Sequence, residues 1–421
     1  EAGTAITTGD NNTAVGKDAL KTEDAHGKNT AVGTNALEDL NAGADGENVA
    51  VGFDAGSEMT LGIKNVLVGS QAGDALTHAD FNVSVGMGSL TSDTLGSKSV
   101  AVGTFALLAQ NFTTDTDSHN TAVGNDAGKG ITTGVQNTLI GSSAGDAMTD
   151  ADHNVAVGLN SLGTNVLGSK STAVGTGALA TQNPATAINM YNVAVGYDAG
   201  VSVTTGQSNT LIGSLAGDAL TTPASNTAVG QNALGADTQG SNTTAIGAGA
   251  LQSQNFTTAT ESYNTAVGTY AGASVTTGQY NTLIGRASGD AITVGNSNTA
   301  VGQNALGADT KGDLNTAIGI GALQSQNFTT TTDSYNTAVG GFAGGNVTTG
   351  TNNTLVGGLA GNAITTGVQN TLIGSLSGDA LDVGNTNVAI GVSALGADTK
   401  GNSSVAIGSS ALRIQNMTTA T

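Results

Sequence analysis

The chain has 421 residues, of which 64 are glycine and two are proline, with no cysteine and no tryptophan. Collagen is excluded, because its triple helix needs glycine at every third position and abundant proline; a disulfide scaffold and a cysteine-based zinc site are excluded as well. Eleven basic against 31 acidic residues leave a net charge of −20, which argues against nucleic acid as a partner, since phosphate recognition requires clustered Lys and Arg.

The sequence opens inside a repeat: Glu1–Gly16 aligns with Tyr270–Gly285, and Glu1–Asp10 has none of the character of a signal peptide. No run of 18 apolar residues occurs anywhere, so direct membrane insertion is not expected. Asn12–Gly16 reads Asn-Thr-Ala-Val-Gly, and the string returns at Asn29–Gly33, Asn226–Gly230 and Asn298–Gly302. A second version, Asn-Thr-Leu-Ile-Gly, stands at Asn137–Gly141, Asn209–Gly213, Asn281–Gly285 and Asn370–Gly374. The motif glycine occurs 23 times between Gly16 and Gly408, usually 17 residues apart, with a step of 21 at regular intervals and one of 19. From Gly52 onward, three steps of 17 and one of 21 make a super-repeat of 72 residues. Residues 1–51 are then a partial cycle, 52–123, 124–195, 196–267 and 268–339 are whole cycles, and 340–421 is a last cycle with one extra coil. Such two-level duplication points to one continuous stacked region over residues 1–421.

Seventeen residues rich in Gly, Asn and Thr cannot hold two useful helices. Asn-Thr-Ala-Val and Asn-Thr-Leu-Ile suit short strands, and the glycine supplies a turn or tight bend. A second short strand is expected at segments such as Asn304-Ala305-Leu306, followed by a polar connection such as Gly307-Ala308-Asp309-Thr310. The predicted fold is all-β: a parallel β-solenoid, or β-roll, of about 23 coils. At a stacking distance of about 4.8 Å it forms a rod roughly 110 Å long.

The residue before the motif glycine is Val or Ile in all 23 copies, and the one before that is Ala in 16, Leu in six and Ser once, at Ser84. Neighbouring strand residues point to opposite faces, so both faces are apolar. A thin roll hides only its inner face. The small Ala face is therefore expected to pack against another chain, in a trimer, with a monomeric solenoid that has a small-residue outer face as the alternative; head-to-tail filament growth is the other self-association considered. Asn226, Val229, Gly230, Asn298, Val301 and Gly302 represent this structural ladder. Asn opens 19 motifs, and Ser99, Ser171, Thr243 and Ser404 replace it in the last coil of a cycle. Either a side-chain ladder between coils or a local turn bond accounts for the Asn.

Little in the sequence carries catalytic chemistry, and the chain is read as non-enzymatic. His26, His78, His119 and His153 share no coil position with a constant carboxylate partner, which leaves them as surface residues. No phosphate-binding Gly-rich loop with its Lys occurs. Asp74, Asp146, Asp218, Asp290 and Asp379 sit in Ala/Ser-Gly-Asp-Ala turns, with Asn362 in the corresponding place of one coil, and Asp54, Asp126 and Asp198 occupy another repeated turn. Calcium at these aspartates is a weak alternative to solvated turns, because most recur only every four coils, about 19 Å apart. No other cofactor is implied. The 21-residue steps offer the best recognition loops, because the rare aromatics gather there: Phe112, Phe256 and Phe328 after Gln-Asn, and His119, Tyr191, Tyr263 and Tyr335 before the next motif. Exposed aromatics bind sugars or neighbouring chains; the alternative is that each Phe folds back over its own loop. The chain stops at Thr421 inside another such connection, begun by Gln415-Asn416-Met417-Thr418.

Asn-Thr-Ala-Val-Gly-x-x-Ala, and above all Ser404-Val405-Ala406-Ile407-Gly408-Ser409-Ser410-Ala411, resembles the head repeat of trimeric autotransporter adhesins and similar repeats of phage tail fibres. The resemblance implies a trimeric left-handed β-roll that mediates attachment. The functional expectation is an extracellular, cell-surface or virion-surface fibre used for adhesion, with a surface glycan or cell-surface receptor as partner. Three rivals are a purely structural filament, an ice-binding solenoid and a polysaccharide-cleaving tailspike. The ice-binding reading is disfavoured because the motif Thr gives way to Val, as in Asn48-Val49 and Asn154-Val155. The tailspike reading lacks a paired-carboxylate site.

Overall fold

The computed structural model describes residues 1–417 and residue 419. Thr418, Ala420 and Thr421, the close of the last repeated connection, lie outside the described residues. The chain divides into two compact units, Glu1–Ser208 and Asn209–Thr421. Each is a parallel β-solenoid. The first carries eleven three-residue strands, one per coil, from Thr13–Val15 to Val193–Val195; the second carries twelve, from Thr210–Ile212 to Val405–Ile407. Within each unit a strand pairs in parallel with its successor in strict register, as Thr13↔Thr30, Ala14↔Ala31 and Val15↔Val32 in the first and Thr210↔Thr227 in the second. No helix among the described residues is long and apolar enough to cross a membrane.

The expected second strand of the ordinary coil is absent among the described residues. After the motif glycine the chain runs through consecutive turns, in which Asn304 and Leu306 take left-handed φ of 56° and 51°. The reason is burial. Ala305 and Leu306 are adjacent yet both wholly buried, which a strand cannot achieve because it sends neighbours to opposite faces. A left-handed non-glycine residue costs about 1–2 kcal/mol, and burying a Leu side chain returns about 1.5–3 kcal/mol. Among the described residues a second strand forms only at the 21-residue steps, where Gly96–Ser97 pairs with Thr116–Asp117 and three later pairs repeat the arrangement.

The strand faces are opposite to the expectation. The middle residue of the strand, Ala or Leu, points inward and is fully buried, as at Ala31, Leu67, Ala228 and Leu283. The outer face carries Thr or Val from the first strand position and Val or Ile from the third. Small Ala therefore faces the chain's own core and is unavailable for packing against a neighbour. The core is filled by exchange of volume between coils. A Cβ on Gly128 would lie 2.7 Å from Leu139 Cδ1 and 2.9 Å from Leu107 Cδ2, so the larger strand residue of one coil occupies the space left by glycine in the coil before. Ser84, the exception at the inward position, is satisfied by Ser89, with the two hydroxyl oxygens 2.6 Å apart.

Candidate recognition edge and its buried support

The motif Asn is buried beneath the outer face and bonds between coils. Asn298 Oδ1 accepts the backbone N–H of Asn315 at 3.0 Å, and its Nδ2 donates to the carbonyl of Gly312 at 2.8 Å. Asn226 does the same toward Thr243 N–H (3.0 Å) and the Gly240 carbonyl (2.9 Å). The ladder thus runs chiefly from side chain to backbone of the next coil, with direct amide–amide bonds where geometry allows, as from Asn387 Nδ2 to Asn370 Oδ1 at 3.0 Å. Val229 and Val301 lie half-buried on the outer face, and Gly230 and Gly302 follow them into the turn.

At each 21-residue step the ladder is spliced by a buried polar group that the sequence reading did not single out. Gln254 donates from Nε2 to Asp237 Oδ2 at 2.6 Å and to Thr243 Oγ1 at 3.1 Å, while its Oε1 accepts from Asn264 Nδ2 at 2.9 Å. Gln110 and Gln326 repeat the bond to Asp93 and Asp309, each at 2.6 Å. Asp237 Oδ1 also accepts the backbone N–H groups of Gly240 and Phe256. Burial pushes the carboxyls of Asp93, Asp237 and Asp309 above the ordinary carboxylate range, against the opposing pull of these bonds. The signal was available: Asp and Gln stand at the same offset from successive motif glycines, as Asp93/Gln110, Asp237/Gln254, Asp309/Gln326 and Asp398/Gln415, with Asn165/Gln182 as the variant.

This splice divides the aromatic candidates into two groups. Phe112, Phe256 and Phe328 are only 5%, 5% and 6% exposed; they cover the splice and face away from solvent. His119, Tyr191, Tyr263 and Tyr335 are exposed and take left-handed φ near 50°, which turns each side chain out just before the buried Asn. Tyr263 stacks on Tyr280 of the next coil with ring centroids 5.5 Å apart, and Lys170 Nζ stands 5.6 Å over the Tyr191 ring. Close by in sequence, Ser225, Ser241, Asn242, Thr260 and Glu261 line a surface groove. A second groove, about 440 Å³, is lined by Asp290, Asn304, Gln324 and Asn327; Asp218, Asn232, Gln252 and Asn255 stand 72 residues earlier in the same order. Both grooves expose polar and apolar surface in about equal measure, with Ala224 and Ala259 in the first and Gly307 and Ala308 in the second beside the polar residues.

Among the described residues, no three carboxylate or imidazole side chains come together at the repeated turn aspartates. Burial raises the carboxyls of Asp74, Asp146, Asp290 and Asp379. Asp54 adds to the rise at Asp74, and Asp126 to that at Asp146, so the nearest acidic neighbour comes from the other repeated turn. Asp290 and Asp379 have no such acidic neighbour among the causes of their shifts. Among the described residues, one group brings three potential metal ligands together: Glu23, Asp24 and His26. His78, His119 and His153 are exposed, whereas His26 sits against buried Glu23. No protein-family model matches the chain, and no curated protein matches it.

Proposed function

We propose that this chain is a non-enzymatic fibre protein, extracellular or on a virion surface, whose coils carry attachment sites at fixed intervals and whose chains associate laterally as trimers. The observation that carries the reading is the outer face of the sheet. In the second unit Ile212, Val229, Ile246, Val267, Ile284, Val301 and Ile318 follow one another in register, and the Ile members are 38–39% exposed. An unbroken apolar rank of this length gains about 25 cal/mol for each Å² removed from water, and contiguous apolar patches on monomers are normally small. The resemblance to trimeric adhesin heads and tail fibres supports three chains as the covering arrangement. Exposed His119, Tyr191, Tyr263 and Tyr335 and the repeated grooves would then contact a surface glycan or cell-surface receptor. Weak identical sites on one particle gain avidity when several engage together.

Sedimentation equilibrium tests the assembly. The chain is expected at trimer mass, and Ile246→Lys combined with Ile284→Lys at monomer mass with unchanged far-UV circular dichroism. A wild-type chain that stays monomeric at the highest soluble concentration removes the argument. Ice binding is a second reading, favoured by one observation: the Thr rank beside the Val/Ile rank is unbroken from Thr210 to Thr371, ten strands in succession. The Thr-to-Val interruptions lie outside that stretch. A monomer showing thermal hysteresis selects this reading, and a trimer without it retains the first.

A further inference from the structure

The first coil departs from the pattern of the buried carboxylate. Seven residues after their motif glycines stand Asp93, Asp237, Asp309 and Asp398; ten residues after, Gly96, Gly240, Gly312 and Gly401. That slot accepts only glycine beside Asp, since a Cβ on Gly96 would lie 2.1 Å from Asp93 Oδ2. A Gln from the next coil takes this second oxygen in all four cases. After Gly16 the same offsets hold Glu23 and His26, and the next coil presents Leu40 in place of Gln.

Three replacements in one slot leave an unusual group. Glu23 is fully buried, and its Oε1 accepts the backbone N–H of His26 at 3.1 Å, the same bond that Gly96 makes to Asp93. Its Oε2 has no hydrogen-bond partner, and neither has the buried His26 Nδ1, which lies 3.5 Å from Glu23 Oε1. Asp24 adds a carboxylate from the solvent side, and one ligand atom from each of the three residues lies within 4.8 Å of the others. A buried carboxylate oxygen without a donor is strongly unfavourable. A cation in this slot relieves it and engages the imidazole nitrogen at the same time.

We propose that Glu23, Asp24 and His26 bind one divalent first-row transition ion, with zinc as the reference case. Two carboxylates and one imidazole match zinc and its neighbours, whereas calcium and magnesium take sets composed of oxygen. Three protein ligands leave a fourth position for water. The site would tie the connection at residues 23–26 to the core at the point where the Gln splice is missing.

The test uses the full chain freed of metal with a chelator and then titrated with Zn²⁺ or Co²⁺ alone. One ion per chain is expected, with intense visible Co²⁺ bands of a four-coordinate site and no competition from Ca²⁺. His26→Gly restores the residue found at this offset in other cycles, so its fold should be retained; circular dichroism checks that. This variant should lose the visible bands and bind Zn²⁺ at least about tenfold more weakly, and Glu23→Gln should do likewise. Binding that is equal in the wild type and His26→Gly, or no Co²⁺ band in the wild type, overturns the proposal and leaves a plain Glu23–His26 ion pair.

Discussion

At the scale of single residues, the fold depends on contacts that tolerate almost no change of atom. Gly302 adopts φ of 135°, and a Cβ there would stand 2.5 Å from the Gly319 carbonyl oxygen. Strain at such a φ costs about 1–3 kcal/mol, and the clash with backbone, which cannot rotate away as a side chain can, adds to it. Gly302→Ala is therefore expected to lose about 3 kcal/mol or more of local stability. Asn298→Ala fails for a different reason, because it strands the Asn315 N–H and the Gly312 carbonyl inside the stack. Each buried orphan costs about 1–3 kcal/mol. Repeat proteins unfold in segments as well as globally, so amide hydrogen exchange around residues 298–320 is the proper measurement. Both variants should exchange faster there than in distant coils. Unchanged protection in Gly302→Ala would mean that the coils are not held at the spacing described.

At the scale of the coil, the buried Asp–Gln splice makes stability depend on pH in an uncommon direction. Burial raises the folded-state carboxyls of Asp93, Asp237 and Asp309. Between the ordinary carboxylate value and the raised folded value, the folded chain holds more protons than the unfolded chain, so stability increases as pH falls through that window. The melting temperature is thus expected to rise as pH falls from neutrality toward the ordinary carboxylate range, about pH 4. Asp237→Asn should flatten the slope and keep the fold, since Asn165 already fills the equivalent slot in another cycle. A melting temperature that falls over the same interval, or a slope indifferent to Asp237→Asn, excludes the splice as the cause. The splice also marks the boundary of what the sequence made legible. Period, super-repeat and parallel stacking were readable because Asn, Val and Gly recur at fixed steps. The facing of the strand was not: Ala and Val are both apolar, and only the left-handed turns at residues such as Asn304 and Leu306, which draw Ala305 inward, decide which one is buried. The loop aromatics were half legible for a similar reason. Composition marks Phe256 and Tyr263 alike, while the Asp237 bond to the Phe256 N–H tucks one in and a left-handed φ turns the other out.

At the scale of the whole chain, net charge and apolar rank oppose each other in assembly. Each copy carries a net charge of −20, and chains brought side by side concentrate that charge, while cover of the Val/Ile rank favours contact. The repulsion between exposed charges is screened over about 30 Å at 0.01 M salt and over about 10 Å at 0.1 M, whereas burial of the rank is not weakened by salt and is strengthened by excluded salts such as sulfate. Lateral association is therefore expected to tighten as ionic strength rises, with the fraction of assembled mass in sedimentation velocity increasing between about 0.01 and 0.5 M NaCl. Ile246→Lys with Ile284→Lys reduces the repulsion by adding positive charge, yet it should still abolish assembly, because the loss is of apolar cover. That opposition separates the two contributions. If salt dissolves the assembly, or if the doubly substituted chain assembles better than the wild type, charge pairing holds the chains together and the Val/Ile rank does not.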